Sequence, residues 1–437
     1  MLLKQKEYIV DIVDIGQGGV GVGKYDGFTV FVEGGLIQDK LKVKINKSKK
    51  NYAVGNIVEI IEPSPFRVKR MCDDSLKDCG GCQIQELDYQ KQLDIKTNEV
   101  KQVITRIGKL DDVLIHETIG MEEPFRYRNK AQFPIKNINN SPSIGFYKKK
   151  SHDIIPTDKC IIQHDVNDKI VKIIKTYINA YNVSIYDEKS HTGLLRHLVT
   201  KVGFTTNEVM VVLVANGNKL PYLNELSSVL EENIPGFKTL VVNVNKDRTN
   251  VILGKVFEIS PLSFFQVNPL QTEVLYNKAL EYAELKENDT VFDIYCGIGS
   301  ISLFLAQKAS KVYGIEIVAD AIKDAKINAK LNNLDNVEFY VGKAEEVVPK
   351  MYKEGKTANV VVVDPPRKGC DEKVLDTIIS MKPDRVVYVS CNPSTLARDI
   401  NYLDEHGFKC VEIQPVDMFP HTMHVECCAK IVKKSDL

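Results

Sequence analysis

The stretch VVYVSCNP at residues 386–393 runs from β-branched residues into an Asn-Pro pair. An apolar run of this kind predicts a buried strand, and the Asn-Pro pair predicts where that strand ends. Cys391 is therefore expected at the carboxyl end of a strand, which is where open α/β sheets bind their ligands. We predict that the chemistry of the chain is organised around this one thiol.

Two other stretches pass from an apolar run into a turn, VFDIYCGIGS at residues 291–300 and NVVVVDPPRKG at residues 359–369. From residue 269 onward, strand-like runs alternate with helical segments; these runs lie at 290–294, 311–315, 337–341, 359–363, 385–389 and 409–413. This alternation predicts an α/β domain with a doubly wound, Rossmann-like parallel sheet. The three stretches would then meet at one edge of the sheet.

The first part of the chain has a different pattern. Short β-like runs at 7–15, 20–25, 29–32, 40–45 and 52–61 are separated by glycine turns. Five such runs predict a small barrel of the OB type, a fold often used to bind single-stranded nucleic acid. A helix is expected at about 86–107, and residues 125–260 look mostly like strands. We therefore predict three domains: 1–62, a central, mostly β domain over 63–262, and 263–437.

The charge of the chain is balanced overall but uneven along the sequence. The formal net charge is zero, yet residues 40–50 carry six lysines, residues 126–150 carry seven cations, and neither stretch contains an acid. Basic stretches with interleaved aromatic residues favour a nucleic-acid partner, and solvated lysine-rich surfaces are the alternative. No signal pattern or membrane-length apolar window is present, so we expect a cytoplasmic monomer without a membrane partner.

The chain has ten cysteines, and in a reducing compartment they are not expected to form disulfides. Their spacing is therefore examined for metal binding and catalysis. Cys72, Cys79 and Cys82 follow a C-x6-C-x2-C spacing, and Cys160 is a distant fourth thiol. Four thiolates can hold zinc or an iron–sulfur cluster. The glycine pair beside Cys82 favours a cluster with a structural role, although the spacing does not decide the metal. The remaining thiols apart from Cys391 are expected in the core: Cys296, Cys370, Cys410, Cys427 and Cys428.

Three carboxylates are candidates for a site. Glu316 ends the second expected strand, where a ribose diol is usually bound, and it follows a glycine-rich turn that lacks the full dinucleotide fingerprint. Two prolines force the chain out of the sheet after Asp364. Apolar neighbours suggest that Glu426 is buried, with a raised proton affinity suited to a base. The alternatives are a surface glutamate, a structural turn and an exposed tail carboxylate.

Several of these features together resemble the RNA (uracil-5-)-methyltransferases that use S-adenosylmethionine. The resemblance covers nearly the whole chain; it is carried by FRYRNK at 125–130, FFQVN at 264–268, DPPR at 364–367, SCNP at 390–393 and residues 417–426. Residues 16–61 resemble a TRAM domain, and the four-cysteine set resembles the 4Fe–4S site of that family. Both features point to the branch acting on 23S ribosomal RNA, because bacterial transfer-RNA enzymes of the family typically lack them.

The resemblance also implies roles for individual residues. Cys391 would be the nucleophile and Glu426 the base, and the contacts to S-adenosylmethionine would come from Gln266, Tyr295, Glu316 and Asp364. Met423 stands where many members have glycine, which we expect to alter the fit around the target base.

These roles agree with the chemistry that the residues allow. Uracil C5 is a poor nucleophile, and a thiolate that adds to C6 makes C5 reactive toward a methyl sulfonium. A base must then remove the C5 proton, and the target base must be flipped out or single-stranded. The alternatives are the same reaction on transfer RNA, a non-catalytic RNA-binding protein, and a DNA amino-methyltransferase. The last is disfavoured because Arg367, rather than an aromatic residue, follows Asp-Pro-Pro.

Overall fold

The computed structural model describes residues 2–139, 141–217, 219–248, 252 and 266–437. The chain forms two compact units. The first contains Met1–Ile95, Glu122–Gly254 and Phe419–Met423, and the second contains Lys96–Met121, Lys255–Met418 and His424–Leu437. These units differ from the three segments expected from the sequence, since residues 96–121 join the C-terminal residues. The expected boundary at 262/263 lies outside the described residues, so the three-domain division stays a prediction.

A five-stranded barrel opens the first unit. Its strands are β1 (Glu7–Gly16), β2 (Val20–Tyr25), β3 (Phe28–Glu33), β4 (Lys40–Ser48) and β5 (Tyr52–Glu62). They close into a barrel in the order β1-β2-β3-β5-β4, which confirms the predicted small five-stranded barrel. Alternate residues fill the interior, among them Val10, Ile12 and Val43, because successive side chains of a strand point to opposite faces.

The helix that follows, α1 (Tyr89–Arg106), also matches the sequence prediction. It is followed by the short strand β6 (Leu114–Ile115), which belongs to the second unit. The first α1 residues belong to the first unit, and Val100 and Ile104 lie in the core of the second. The helix is therefore shared between the two units.

A six-stranded sheet completes the first unit. It contains β7 (Lys130–Ile138), β8 (Ser141–Tyr147), β9 (Ile154–Pro156), β10 (Leu195–Val202), β11 (Val209–Ala215) and β12 (Phe237–Val244), in the order β12-β11-β10-β7-β8-β9. Two helices pack with it, α2 (Val166–Ala180) and α3 (Leu223–Asn233). The sequence reading favoured strands here and missed α2, whose Ile170, Ile174 and Ile178 form a buried stripe with helical spacing.

An eight-stranded sheet forms the second unit, and β6 is one of its strands. The other elements are α4 (Pro269–Ala283), β13 (Thr290–Ile294), α5 (Ser300–Ala306), β14 (Lys311–Glu316), α6 (Ala319–Leu331), β15 (Val337–Val341), α7 (Ala344–Lys353), β16 (Val360–Val363), α8 (Glu372–Met381), β17 (Arg385–Ser390), α9 (Pro393–Glu405), β18 (Phe408–Val416) and β19 (Glu426–Lys433). The strand order is β15-β14-β13-β16-β17-β19-β18-β6. The six predicted strands are present as β13 to β18. From β13 the sheet continues to β14 and β15 on one side and to β16 and β17 on the other, as in a doubly wound sheet.

Two strands of this sheet, β6 and β19, were not expected. β19 runs antiparallel between β17 and β18, so the sheet is mixed rather than purely parallel. The central parallel strands β16 and β17 are covered on both faces, and every one of their residues is buried. The helices bury one face each, and none in the described ranges is long and apolar enough to cross a membrane.

Candidate active site

Cys391 occupies the turn between β17 and α9, where neighbouring polar groups hold the backbone. The Asn392 side chain accepts a hydrogen bond from the Ser394 N–H at 3.1 Å and so caps α9. Its Nδ2 donates to the carbonyl oxygen of Arg367 at 3.0 Å. The Asn392 N–H donates to Ser390 Oγ at 3.1 Å. The half-buried thiol is thus held beside the DPPR turn.

Glu426 lies near this thiol because their strands are neighbours. β17 and β19 pair antiparallel, and the last pair sets Ser390 opposite Cys427. Cys391 follows Ser390 and Glu426 precedes Cys427, and the two are close enough for the Glu426 charge to raise the pKa of Cys391. The Glu426 residue is 3% exposed, so the expectation that it is buried is confirmed and the exposed-tail alternative is wrong.

The charges around these two groups oppose their ionisation. Burial raises the pKa of Cys391 to about 11, and the Glu426 and Asp364 carboxylates add to this effect while Arg367 opposes it. Burial likewise raises the pKa of Glu426 well above its ordinary value, again with Asp364 adding and Arg367 opposing. Both shifts favour the protonated form of the group. Arg367 is the cation of the site, a role that the sequence reading did not assign.

More carboxylates lie at the same sheet edge. Asp364 follows β16, and burial together with Asp293 raises its pKa to about 7. Burial also raises the pKa of Asp293, at the end of β13, to about 7. Its Oδ2 accepts a hydrogen bond from Ser302 Oγ, and its Oδ1 is buried without a partner among the described residues. Helix α4 places Tyr276 at the same site. Burial raises the pKa of Tyr276, and the charges of Asp364 and Asp293 add to this rise.

Of these groups, the sequence reading named only Asp364. Asp293 could have been predicted as a site residue, because it lies near the end of an expected strand in the stretch VFDIYCGIGS at residues 291–300. Tyr276 had none, because a helix outside the three stretches supplies it.

The glycine-rich turn after β13 leaves space for a ligand. Gly297 has a φ of 56°, and a Cβ built there would meet nothing within 4 Å. The Glu316 carboxylate accepts N–H donors from Gly297 at 3.2 Å and Val318 at 2.8 Å, which fixes its orientation. Tyr295 is half-buried with a φ of 70°, and Gln266 is buried. Phe264 and Phe265 of the FFQVN stretch lie outside the described residues.

Comparison with known proteins agrees with this geometry. The model of the tRNA (Uracil-5-)-methyltransferase family matches residues 247–434, and that of the TRAM domain matches residues 3–58. An RNA methyltransferase from Clostridium tetani is 49% identical over 97% of this chain and 95% of the relative. Another from Caldanaerobacter subterraneus is 49% identical over 98% of both. The chain belongs to the RNA (uracil-5-)-methyltransferase family.

A solved structure supports the fold and the methyl donor of this methyltransferase. The Pyrococcus abyssi tRNA (uracil-54, C5)-methyltransferase, in complex with S-adenosyl-L-homocysteine, is 28% identical with a TM-score of 0.78. The match covers 97% of this chain and 100% of that chain. The protein therefore combines a TRAM barrel with an S-adenosylmethionine-dependent methyltransferase fold.

The four cysteines predicted to bind a cluster lie in the first unit of the methyltransferase. Within the described residues, no group of three or more His, Cys, Asp or Glu side chains is placed to hold a metal ion. The four thiols are nevertheless close to one another. Burial raises the pKa of Cys82 to about 12, and Cys160, Cys72 and Cys79 lie near enough for their charges to add to this rise. Gln85 Nε2 and the Gly81 N–H lie 3.5 Å from the sulfurs of Cys72 and Cys79. Four soft sulfur ligands with N–H donors suit an iron–sulfur cluster chemically.

The segment at 419–423 packs within the first unit. The carbonyl oxygen of His421 accepts the N–H groups of Gln83 and Ile84 at 3.0 and 3.1 Å, and its ring stacks on Phe125 at 4.8 Å. Met423 is 8% exposed and packs in an apolar cluster that includes Ile15, Leu36, Ile84, Leu87 and Ile95. Met423 is thus a core residue, and its effect on the fit around the target base stays a prediction.

The two basic stretches are partly neutralised by acids from elsewhere in the chain. Lys40 and Lys42 pair with Glu62 and Glu59 of β5, each at 2.8 Å. Three of the cations at 126–150 are paired as well: Arg126 with Asp168, Lys136 with Glu188, and Lys149 with Glu33. In contrast, Lys49 and Lys50 are exposed and make no ion pair among the described residues. The count of charges along the sequence thus overstated the basic surface.

Proposed function

We propose that the protein methylates C5 of a uridine in 23S ribosomal RNA, with S-adenosylmethionine as the methyl donor and a covalent Cys391–C6 adduct as the intermediate. The observation that carries this proposal is the pairing of β17 with β19, which brings Cys391 near Glu426 at the ligand-binding edge of the sheet. A thiol nucleophile and a buried carboxylate base are the two protein groups that the reaction needs.

The steps balance with these side chains. The thiol of Cys391 loses its proton, and the sulfur bonds to C6 of uracil, which gives C5 enolate character. S-adenosylmethionine, when bound, would supply an electrophilic methyl group; C5 bonds to its carbon while the carbon–sulfonium bond breaks, which leaves S-adenosyl-L-homocysteine. Glu426, which must be in its carboxylate form at this step, then accepts the proton from C5, the double bond re-forms, and the C6–S bond breaks to release the thiolate.

Arg367 assists the first of these steps. The charge of its guanidinium opposes the rise in the pKa of Cys391 and of Glu426. A cation that favours the thiolate lowers the free energy of the attacking species. The proton leaving Cys391 can be taken by a nearby carboxylate, and Asp364, with a pKa of about 7, is suited to exchange protons near neutral pH.

The methyl donor would be held by Gln266, Tyr295, Glu316 and Asp364. Support comes from the open space at Gly297 and from the Glu316 carboxylate, which its two N–H donors orient for hydrogen bonds to a ribose. The unpartnered Oδ1 of Asp293 is a further buried acceptor at the same edge.

A 4Fe–4S cluster held by Cys72, Cys79, Cys82 and Cys160 is part of the proposal. Anaerobically purified protein should be brown and contain about four iron atoms per chain. Cys82→Ser should lose the colour and the iron, because one ligand is removed, whereas Cys410→Ala, a buried core thiol of the second unit, should keep both. Colourless protein with stoichiometric zinc would contradict the cluster.

Transfer RNA is the second candidate substrate. The Pyrococcus abyssi enzyme, which acts on transfer RNA, is matched along its whole chain. The presence of a TRAM barrel therefore does not by itself separate the two substrates. The cysteine set keeps 23S ribosomal RNA as the first candidate.

Mapping 5-methyluridine in a strain that lacks the gene tests the substrate directly. We expect the modification to disappear from 23S ribosomal RNA, to stay in transfer RNA, and to return with the wild-type gene. The Cys391→Ala gene is the matched control and should not restore it. Loss from transfer RNA alone would replace the first candidate with the second.

The paired and unpaired lysines of β4 and its turn should contribute differently to RNA binding. Lys49→Gln with Lys50→Gln should flatten the dependence of log K on log[salt] by about one, since each released phosphate contact contributes about 0.7 on single strands. Lys40→Gln with Lys42→Gln is the matched control, and the slope should change less because Glu62 and Glu59 already neutralise these lysines. Equal changes in the two double variants would show that ion pairing does not decide the contribution.

A further inference from the structure

A cavity of about 410 Å³ opens in the six-stranded-sheet part of the first unit. Its wall includes Tyr147, Tyr186, His191, Arg196, His197 and Arg248. None of these residues has a role in the methyl-transfer chemistry proposed above. Their side chains nevertheless form a set of cations, aromatic rings and imidazoles that core packing does not require.

The positive charge of the cavity comes from its arginines. Arg196 is fixed, since its Nη1 donates to the carbonyl oxygens of Asn245 at 2.7 Å and Asp247 at 2.9 Å. Arg248 is exposed and makes no ion pair among the described residues. The one acid of the wall, Glu188, pairs with Lys136 at 3.0 Å, so its charge is offset. The cavity therefore favours an anion.

The imidazoles add neutral polar groups. His197 is 8% exposed, and burial together with the neighbouring Arg196 lowers its pKa to about 4, so the ring is neutral at pH 7. Its Nε2 lies 3.4 Å from the Tyr147 hydroxyl, and its Nδ1 is buried without a partner among the described residues. His191 Nδ1 lies 2.8 Å from the Tyr186 hydroxyl. A buried ring nitrogen without a partner costs stability, which points to a use other than packing.

The size and the rings of the cavity indicate more than a bare phosphate. A volume of 410 Å³ falls within the range of small-ligand pockets, about 300–1,000 Å³. Arg196 lies over the Tyr186 ring at 4.4 Å, and His152 packs against the Tyr147 ring at 5.8 Å. Tyrosine, histidine and arginine planes are the surfaces on which unpaired bases stack.

We propose that this cavity binds a phosphorylated nucleoside, with the phosphate at Arg248 and the base against the tyrosine and histidine rings. The nucleoside is either an unpaired nucleotide of the substrate RNA or a free nucleotide. Only the first of these sources rests on the proposed function.

Imidazole NMR can test the cavity directly, because the chain has only eight histidines. Each ribonucleoside 5′-monophosphate is titrated into ¹⁵N-histidine-labelled protein, with His191→Asn to assign one signal. We expect the His191 and His197 signals to shift and saturate, and Arg248→Glu to weaken the affinity about tenfold, as expected for a lost charge-assisted contact. Lys172→Glu makes the same charge change at an exposed site of α2 outside the cavity and should leave the affinity unchanged.

Two results of this titration would overturn the proposal. The first is that no monophosphate shifts these signals. The second is that inorganic phosphate binds as tightly as the nucleotides, which would remove the nucleoside from the assignment.

Methyl-transfer kinetics on RNA then identify the source of the nucleotide. If it belongs to the RNA, Arg248→Glu should raise KM about tenfold relative to Lys172→Glu and leave kcat unchanged, since binding rather than chemistry is affected. An unchanged KM with weakened monophosphate binding supports a free nucleotide. If RNA is not methylated at all, the proposed function fails, while the imidazole titration still decides whether the cavity binds a nucleotide.

Discussion

Replacing Cys391 with alanine is expected to abolish methyl transfer, with a loss of roughly a thousandfold or more, as is usual when a nucleophile is removed. The thiol supplies the electron pair that activates C5; Cys296, which follows β13 at the same edge, is buried, whereas Cys391 is only partly buried. Affinity for RNA and for S-adenosylmethionine should change little, because the substitution removes one half-buried sulfur atom. Transfer of a labelled methyl group, measured beside binding of both substrates, separates the two effects.

Two comparisons make this result specific to the nucleophile. Cys410→Ala removes a buried thiol from β18 and should keep activity. In the wild-type protein, kcat/KM should rise with pH above neutrality, because a thiol with a pKa of about 11 gains thiolate as pH increases. Cys391→Ala protein that retained a tenth or more of the activity would remove Cys391 from its role.

Glu426→Gln is expected to stop the reaction one step later. The amide keeps the shape of the side chain but cannot accept the C5 proton, so addition and methyl transfer proceed while elimination stalls. The enzyme should accumulate as a methylated protein–RNA adduct that survives denaturation. A denaturing gel with label in the methyl group measures it directly.

The adduct must depend on both proposed groups. A double variant, Cys391→Ala with Glu426→Gln, should form none, and neither should Glu426→Gln without S-adenosylmethionine. A thermal unfolding curve confirms that the substitution at this buried position leaves the protein folded. Full turnover by folded Glu426→Gln would assign the base elsewhere, with Asp364 or His421 tested next.

Much of the fold was predictable from local sequence. The barrel strands and the six parallel strands were found because β-branched or alternating runs end at glycine or proline turns, and these signals lie within a few residues of each strand. β19 was missed because an antiparallel strand next to the chain end is stabilised by pairing with β17 and β18, which are distant in sequence.

Some residues of the candidate site could likewise be grouped from the sequence, and others are brought together only by the tertiary structure. Cys391, Asp364 and Glu316 could be grouped from the sequence, since parallel strands end at one edge of a sheet. That Glu426 lies near Cys391 follows from the pairing of β17 with β19, and Tyr276 comes from α4. Neither relation has a local signal, because each depends on which elements become neighbours.

The sequence alone determined the barrel, the parallel strands, the family resemblance and the residue types of the chemistry, because these follow from periodicity, turn residues and motifs along the chain. The tertiary structure decided the ionisation of Cys391 and the neutralisation of Lys40 and Lys42 by β5 acids. Burial and the distance between charges act through space and are set only when separate elements pack together.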